Sequence, residues 1–278
     1  MNETPEQTPD KLGTLLRVGL FVLIGWLGRE IFPALLFPFA GLLATSALSI
    51  FITAAVANAI VVRVYERGRL ADLGLGATPR SGREFLTGAI TGAVAGALVL
   101  TGPLALGLAT FAPAEKVEHP WAAFAFVSVL LLFGAFGEEM LFHGYAFQLL
   151  IRSIGPFATI LPVGIVFGLA HLANQNVNAL GIANTIGWGF LLGYAYWRTQ
   201  ALWLPIGLHF GWNFALPLFG VNLSGLTMGV TGYALQWKVG SLWSGGGYGP
   251  EGSLLTTLIV VLLFFVLRRV TPAASVTE

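Results

Sequence analysis

The chain has 278 residues, of which 56% are hydrophobic and only 10% are charged, and its formal net charge is +1. Soluble globular domains carry about 25% charged residues, so this composition and a mean hydropathy of +0.80 exclude a soluble domain and predict an integral membrane protein. The lack of cysteine in the sequence excludes disulfides, thiolate metal ligands and a cysteine nucleophile. The net charge itself says nothing about nucleic acid, and we expect the lipid bilayer and no nucleic acid as a partner.

Apolar stretches of about 20 residues are needed to cross a bilayer as a helix. We interpret eight stretches of the sequence in this way, which predicts an all-α fold: a polytopic transmembrane helical bundle with about eight spanning helices. They cover roughly 14–37, 40–62, 85–110, 121–150, 156–173, 179–197, 201–218 and 253–267.

The loop 63–84 between the second and third stretches contains five arginines and three acidic residues. Cytoplasmic loops carry an excess of basic residues, so we expect this loop to be cytoplasmic. Alternation of eight spans then places both termini in the cytoplasm.

The sequence divides into five segments. We expect a polar cytoplasmic N-terminus over 1–13, N-terminal transmembrane helices over 14–110, a core with the chemically active side chains over 120–218, and a last transmembrane helix with the C-terminal tail over 253–278. The remaining segment, 219–252, contains ten glycines among tyrosines and tryptophans. Such aromatic residues favour the membrane interface, so this segment is either an outer interfacial loop that caps the bundle or a flexible connector.

Glycines recur at four-residue spacing in several of the predicted helices. This spacing is typical of helices that approach each other closely in a bilayer. We therefore predict helix contacts at Gly88, Gly92 and Gly96, at Gly164 and Gly168, at Gly189 and Gly193, and at Gly207 and Gly211.

Glu138 and Glu139 lie side by side within the apolar fourth stretch. One acidic residue at the centre of a spanning helix costs roughly 2.5 to 3.5 kcal/mol. Ionisable residues at this depth usually face the interior of the bundle or a hydrated cavity and serve a function. Two adjacent carboxylates therefore indicate a functional site.

Further polar side chains lie in three of the eight stretches: His143 in the fourth, His171 in the fifth, and His209 with Asn213 in the seventh. At 3.6 residues per turn, positions four apart share a helix face, which pairs Glu139 with His143, Phe167 with His171, and His209 with Asn213. Each could be a packing residue by itself, but together they indicate one shared intramembrane site. The fourth histidine, His119, is expected in a solvated outer loop.

A carboxylate with two imidazoles is suited to activating water, either directly or through a zinc ion. With zinc, the ligands would be Glu138, His171 and His209, which leaves one open position. Without metal, a glutamate would take the proton from a water oriented by His171, and His209 with Asn213 would donate to the developing oxyanion. No cofactor is strictly required by the pattern, and zinc stays an alternative.

Three motifs of this sequence resemble those of the CPBP family, which includes the type II CAAX prenyl proteases and bacterial relatives linked to bacteriocin processing or immunity. They are Glu138-Glu139-Met-Leu-Phe-His143, then Phe167-x-x-x-His171, then His209-x-x-x-Asn213. The resemblance covers roughly 120–218. It implies an eight-helix intramembrane endopeptidase in which Glu138 and His171 activate water and His209 and Asn213 stabilise the oxyanion. It also implies a membrane-associated peptide or protein substrate, either prenylated or CAAX-like or unmodified. The protein is expected to be a multi-pass protein of a bacterial plasma membrane.

One position departs from the family pattern, because His143 stands where the family has arginine. Unlike arginine, histidine is not permanently charged at neutral pH, so the support that His143 gives Glu139 is in question. This departure leaves open a non-catalytic immunity or scaffold protein on the same fold. A proton-coupled transporter is a further alternative, because glutamate and histidine also build proton relays. Neither repeats nor paired broken helices, which are common signs of transporters, are evident in the sequence.

Overall fold

The computed structural model describes residues 11–270, so the first ten residues of the predicted cytoplasmic N-terminus and the last eight of the C-terminal tail lie outside the described part. Within it, α-helices account for most of the chain. They are α1 (Lys11–Val61), α2 (Pro79–Ala105), α3 (Pro120–His143), α4 (Tyr145–Ile154), α5 (Pro156–Leu169), α6 (Ala179–Thr199), α7 (Trp203–Leu218), the short α8 (Ser241–Ser244) and α9 (Leu254–Leu267), with strands β1 (Ala109–Pro113) and β2 (Tyr233–Trp237).

Helix α1 is two helices joined at Gly41. The backbone there is non-helical, with φ 69° and ψ 176°, a conformation that glycine adopts at little cost. The two halves run back along each other: a Cβ placed on Gly28 would lie 2.7 Å from the Thr53 side chain, and Arg17 pairs with Glu66 at 2.9 Å. The prediction of two separate helices in this region is therefore confirmed.

The predicted fourth span, 121–150, is interrupted at Gly144, between α3 and α4. The Asn58 side chain of α1 hydrogen-bonds to backbone groups on both sides of this break. Its Nδ2 donates to the Met140 carbonyl at 2.9 Å, and its Oδ1 accepts from the Tyr145 N–H at 2.8 Å. A side chain on Gly144 would collide with Asn58 and with the Met140 carbonyl. The predicted stretch therefore consists of two helices, and the sequence did not show the break because its hydrogen bonds come from another helix.

Three helical segments of the described chain are long and apolar enough to cross a bilayer: Lys11–Glu66, Pro79–Ala105 and Pro120–Ile154. The first contains both halves of α1, and Pro156–Leu169 and Leu254–Leu267 are shorter apolar helices. The chain is thus mostly helical and an integral membrane protein. The count of eight spans and the cytoplasmic position of the termini stay predictions.

Helices α2 and α7 make the closest helix pair in the bundle. Side chains on Gly88 and Gly92 would meet the backbone of α7, and side chains on Gly207 and Gly211 would meet the backbone of α2. Gly164 and Gly168 approach α6 in the same way. The predicted glycine contacts are confirmed for these helices, and they hold α7 firmly against its neighbours.

Adding one methyl group at Gly211 should destabilise the protein. Its Cβ would collide with the Ala89 carbonyl of α2, and overpacking of this kind typically costs about 1 to 3 kcal/mol. We expect Gly211→Ala to lower the thermal unfolding midpoint in detergent. Gly102→Ala is the matched control, because nothing lies within 4 Å of a Cβ there. Equal midpoints for the two variants would contradict the packing described here.

The segment 219–252 is folded onto the bundle. Its strand β2 pairs antiparallel with β1, with Ala109 opposite Trp237 and Pro113 opposite Tyr233. After β2 come α8 and two short 3₁₀ turns, Gly246–Tyr248 and Pro250–Gly252. This small sheet is the one exception to the predicted all-α fold within the described residues, and the segment that contains β2 covers one end of the helices that carry the candidate site.

Candidate active site

A cavity of about 270 Å³ opens among α1, α3, α6, α7 and the chain that follows α5. Glu138, His171, His209 and Asn213 all line it. The structure thus brings together, from three parts of the chain, the four side chains that the sequence predicted to share a site. Apolar and aromatic side chains form most of the remaining wall, and the segment 219–252 closes one side with Leu223, Ser224, Leu226, Met228 and Glu251.

Glu138 faces both imidazoles from α3. Its Oε2 lies 3.7 Å from His171 Nε2 and 3.9 Å from His209 Nε2. These separations are too long for direct hydrogen bonds, and contacts of this length are commonly bridged by water. Oε2 is also buried without a hydrogen-bond partner among the described residues. An orphaned carboxylate oxygen is costly, and this one is free to accept a hydrogen bond from a water molecule in the cavity.

His171 lies just beyond the end of α5, which stops at Leu169. The helix ends before His171 because the chain turns after Ala170 and the His171 N–H donates to the Gly168 carbonyl. Phe167 and His171 still lie together as expected, with ring centroids 5.0 Å apart. The ring is nevertheless fixed: His171 Nδ1 lies 2.8 Å from the Phe167 carbonyl. A carbonyl can only accept, so Nδ1 carries the proton, and Nε2 of the neutral ring presents a lone pair towards Glu138.

His209 is held by Glu139, the second carboxylate of the pair. His209 Nδ1 donates to Glu139 Oε1 at 2.8 Å, and the Glu139 side chain is fully buried. His209 Nε2 can donate to an oxyanion only when the ring is doubly protonated. Glu138 and Glu139 both face this ring, and their negative charges attract the imidazolium.

His143 supplies the second hydrogen bond to Glu139. Its Nδ1 donates to Glu139 Oε2 at 2.7 Å, one helical turn away on α3. Both side chains are completely inaccessible to solvent. The residue that departs from the family pattern therefore contacts the supporting carboxylate and not the reactive groups around Glu138.

Asn213 lies one turn after His209 on α7 and lines the same cavity. Its amide can donate to the same region as His209 Nε2 because the two share a helix face. His119 is exposed and precedes α3 as its N-cap residue, without a side-chain capping bond. It lies outside the cavity lining, as expected for a solvated histidine.

Sequence reasoning missed two polar residues that shape this region, Asn58 and Glu251. Asn58 is fully buried beside the break at Gly144. Glu251 enters the cavity from the turn before α9. Neither stands in a pattern that predicts a site, although a lone asparagine in an apolar helix is a signal for an interhelical hydrogen bond.

The side chains that would hold a zinc ion, Glu138, His171 and His209, line the cavity together. Across residues 11–270, no group of three or more histidine, aspartate or glutamate side chains is positioned to hold a metal ion. The Nε2 atoms of both imidazoles face Glu138 at 3.7 and 3.9 Å, and their Nδ1 atoms bond to the Phe167 carbonyl or to Glu139, an arrangement that is also typical of histidines that bind a metal through Nε2. The chemistry proposed below uses no metal, and zinc binding stays a prediction for metal analysis.

Comparison with known proteins agrees with this site. Residues 120–215 match the family model described as Rce1-like, type II CAAX prenyl endopeptidase Rce1-like. No curated protein and no solved structure gives a significant match. The matched residues extend from α3 to α7 and contain the four predicted side chains that line the cavity, Glu138, His171, His209 and Asn213. This match confirms the resemblance drawn from the three motifs: residues 120–215 are similar to the Rce1-like type II CAAX prenyl endopeptidases.

Proposed function

We propose that this protein is an intramembrane endopeptidase that hydrolyses a peptide bond of a membrane-associated substrate with a water molecule activated by Glu138 and His171. One observation carries the proposal: Glu138 Oε2, orphaned and buried, lies within 4 Å of the Nε2 atoms of two fixed histidines. The domain match, which is to a family of endopeptidases, supports the same reaction class.

The first step is attack by water. A water molecule can hydrogen-bond to Glu138 Oε2 and to His171 Nε2 at once, because the two atoms are 3.7 Å apart. Glu138 takes one proton as the water oxygen bonds to the scissile carbonyl carbon. His171 holds the water, and its Nδ1 bond to the Phe167 carbonyl fixes the tautomer that this role needs.

The tetrahedral intermediate carries its negative charge on the former carbonyl oxygen. Protonated His209 and the Asn213 amide donate to this oxygen, and Glu139 holds the His209 ring in place. Collapse of the intermediate breaks the carbon–nitrogen bond, and the proton held by Glu138 passes to the leaving amine. The products are one new carboxylate and one new amine.

The substrate proposed here is a peptide segment that reaches the cavity from the membrane or its surface. The family description names CAAX prenyl substrates, so a prenylated or CAAX-like peptide is one candidate, and an unmodified peptide is the other. The cavity wall is mostly apolar, which suits a hydrophobic peptide or a lipid-modified one.

A cleavage assay tests this proposal. Purified protein in phospholipid vesicles is incubated with prenylated and unmodified peptides, and the products are identified by mass spectrometry. We expect one new carboxyl terminus per cut, carrying one ¹⁸O atom when the reaction runs in H₂¹⁸O. Wild-type protein that cuts none of the peptides, or that yields products equally with Glu138→Gln and His171→Ala variants, would refute the proposal.

The alternatives raised by the sequence gain no support. A non-catalytic immunity or scaffold protein does not require two rigid imidazoles around an orphaned carboxylate, and the domain match is to an endopeptidase. The departure at His143 was the main argument for a scaffold. His143 still donates to Glu139, so the supporting contact is present.

A further inference from the structure

A third carboxylate, Glu251, lines the cavity together with Glu138. It belongs to the turn Pro250–Gly252 and lies outside the residues 120–215 that match the endopeptidase model. The proposed hydrolysis gives it no role, because Glu138 both takes and returns the proton. A carboxylate in a mostly apolar cavity is costly without a function or a partner.

Neutral groups hold Glu251 in a fixed position. Its Oε2 accepts from the Ser224 N–H at 2.5 Å and from the Ser224 hydroxyl at 3.0 Å. Its Oε1 accepts only a long bond, 3.3 Å, from Trp212 Nε1. The Oε1 side therefore keeps unused capacity to accept hydrogen bonds.

No lysine or arginine pairs with Glu251 within the described residues. Its oxygens make none of the ion pairs found within 4.0 Å there, and no lysine or arginine lines the cavity. Burial raises the pKa of the Glu251 carboxyl above its ordinary value. A bound cation would favour the ionised form and offset the cost of burying it.

The wall beside Glu251 is suited to a cation. The indoles of Trp188 and Trp212 pack against each other with ring centroids 5.0 Å apart, and both line the cavity. Indole faces attract cations more strongly than other aromatic rings do. Trp188 is only 6% exposed, so its ring is held in a fixed position beside Trp212.

We infer that Glu251, Trp188 and Trp212 form a subsite that binds a lysine or arginine side chain of the peptide substrate. The inference rests on the proposed function, since it names the kind of residue that the peptidase cavity selects. The ammonium or guanidinium group donates to Glu251 Oε1 and lies against the indoles. An acidic side chain at the same place meets the Glu251 carboxylate and no lysine or arginine, so it is rejected.

The test compares peptides that differ by one charge. One peptide carries lysine near its cleaved bond, and the second carries Nε-acetyl-lysine at the same position. Both peptides are prepared with a free and with an acetylated N-terminus. In each series the lysine or acetyl-lysine is moved through successive positions on either side of the cleaved bond. A charge-assisted hydrogen bond corresponds to roughly 10-fold or more in rate, so wild-type protein should cleave the lysine peptide at least ~10-fold faster at one position.

Variants assign the preference to Glu251. The ratio of the two rates should fall close to one in Glu251→Gln and stay at the wild-type value in Glu115→Gln, which removes an exposed carboxylate outside the cavity. If Glu251 served only to tie Ser224 to Trp212, both rates would fall together and the ratio would not change, which would overturn the subsite.

Wild-type protein alone also decides the question, even if Glu251→Gln does not fold. Equal rates for the lysine and acetyl-lysine peptides at every position would overturn the subsite while leaving the peptidase intact. If acetylation of the peptide N-terminus abolished the preference for the lysine peptide, the bound cation would be the terminal amine. That result would overturn a subsite for a side chain. If no peptide at all is cleaved, the proposed function fails, and the subsite fails with it.

Discussion

Glu138→Gln is expected to lower kcat/KM for peptide cleavage by about 10³-fold, within the range of roughly 10² to 10⁴ for loss of a general base. Glutamine keeps the length and shape of the side chain but cannot take a proton from water. Because Glu138 Oε2 has no hydrogen-bond partner among the described residues, the substitution breaks no observed contact of this oxygen. The loss should therefore be in chemistry and not in folding.

Steady-state cleavage rates and thermal unfolding midpoints, measured on the same preparations, separate the two effects. Glu115→Gln is the control, because it removes one carboxylate from an exposed position outside the cavity. We expect unchanged midpoints for both variants and a lost rate only for Glu138→Gln. A glutamine variant that retains a tenth or more of the wild-type rate would show that another group is the base.

Glu139→Ala is expected to destabilise the folded protein by about 3 to 5 kcal/mol, the cost of removing one partner from a buried charged pair. Glu139 is fully buried and accepts from both His143 and His209. Alanine would leave two buried imidazole nitrogens without an acceptor, in a place where solvent does not reach His143. Because His209 would also lose the bond that orients its ring, activity should fall together with stability.

His143→Ala is the matched comparison. It removes one of the two bonds to Glu139 and leaves the bond from His209, so the expected loss is smaller, about 1 to 3 kcal/mol. Unfolding free energies from denaturant titration in mixed micelles measure both variants. If the Glu139→Ala variant were at least as stable as the His143→Ala variant, the central position of Glu139 in this network would be contradicted.

The sequence predicted the site because ionisable residues in apolar helices are rare. Glu138, His171, His209 and Asn213 each break an otherwise apolar stretch, and the spacing of His209 and Asn213 fits one helix face. The glycine spacing in α2 and α7 likewise predicted a close helix pair, because a short-range pattern determines which helix face can approach a neighbour.

Other features depend on contacts between distant parts of the chain, and no local pattern reveals them. The break at Gly144 is stabilised by Asn58, more than 80 residues earlier in the sequence. Glu251 lies in a glycine-rich turn, where an acidic residue is usually solvated. Its burial arises only because Ser224 and Trp212 meet it. Strands β1 and β2 are five residues each and are joined by pairing across more than 100 residues, so neither is apparent alone.

The central claim is that Glu138 and His171 act together on one water molecule, and a double-mutant cycle measures this most directly. Residues that act as a unit show strongly non-additive losses. We expect Glu138→Gln with His171→Ala to cleave peptides about as slowly as the slower of the two single variants. Losses that multiply in the double variant, or wild-type activity in either single variant, would show that the two side chains do not share a reactant.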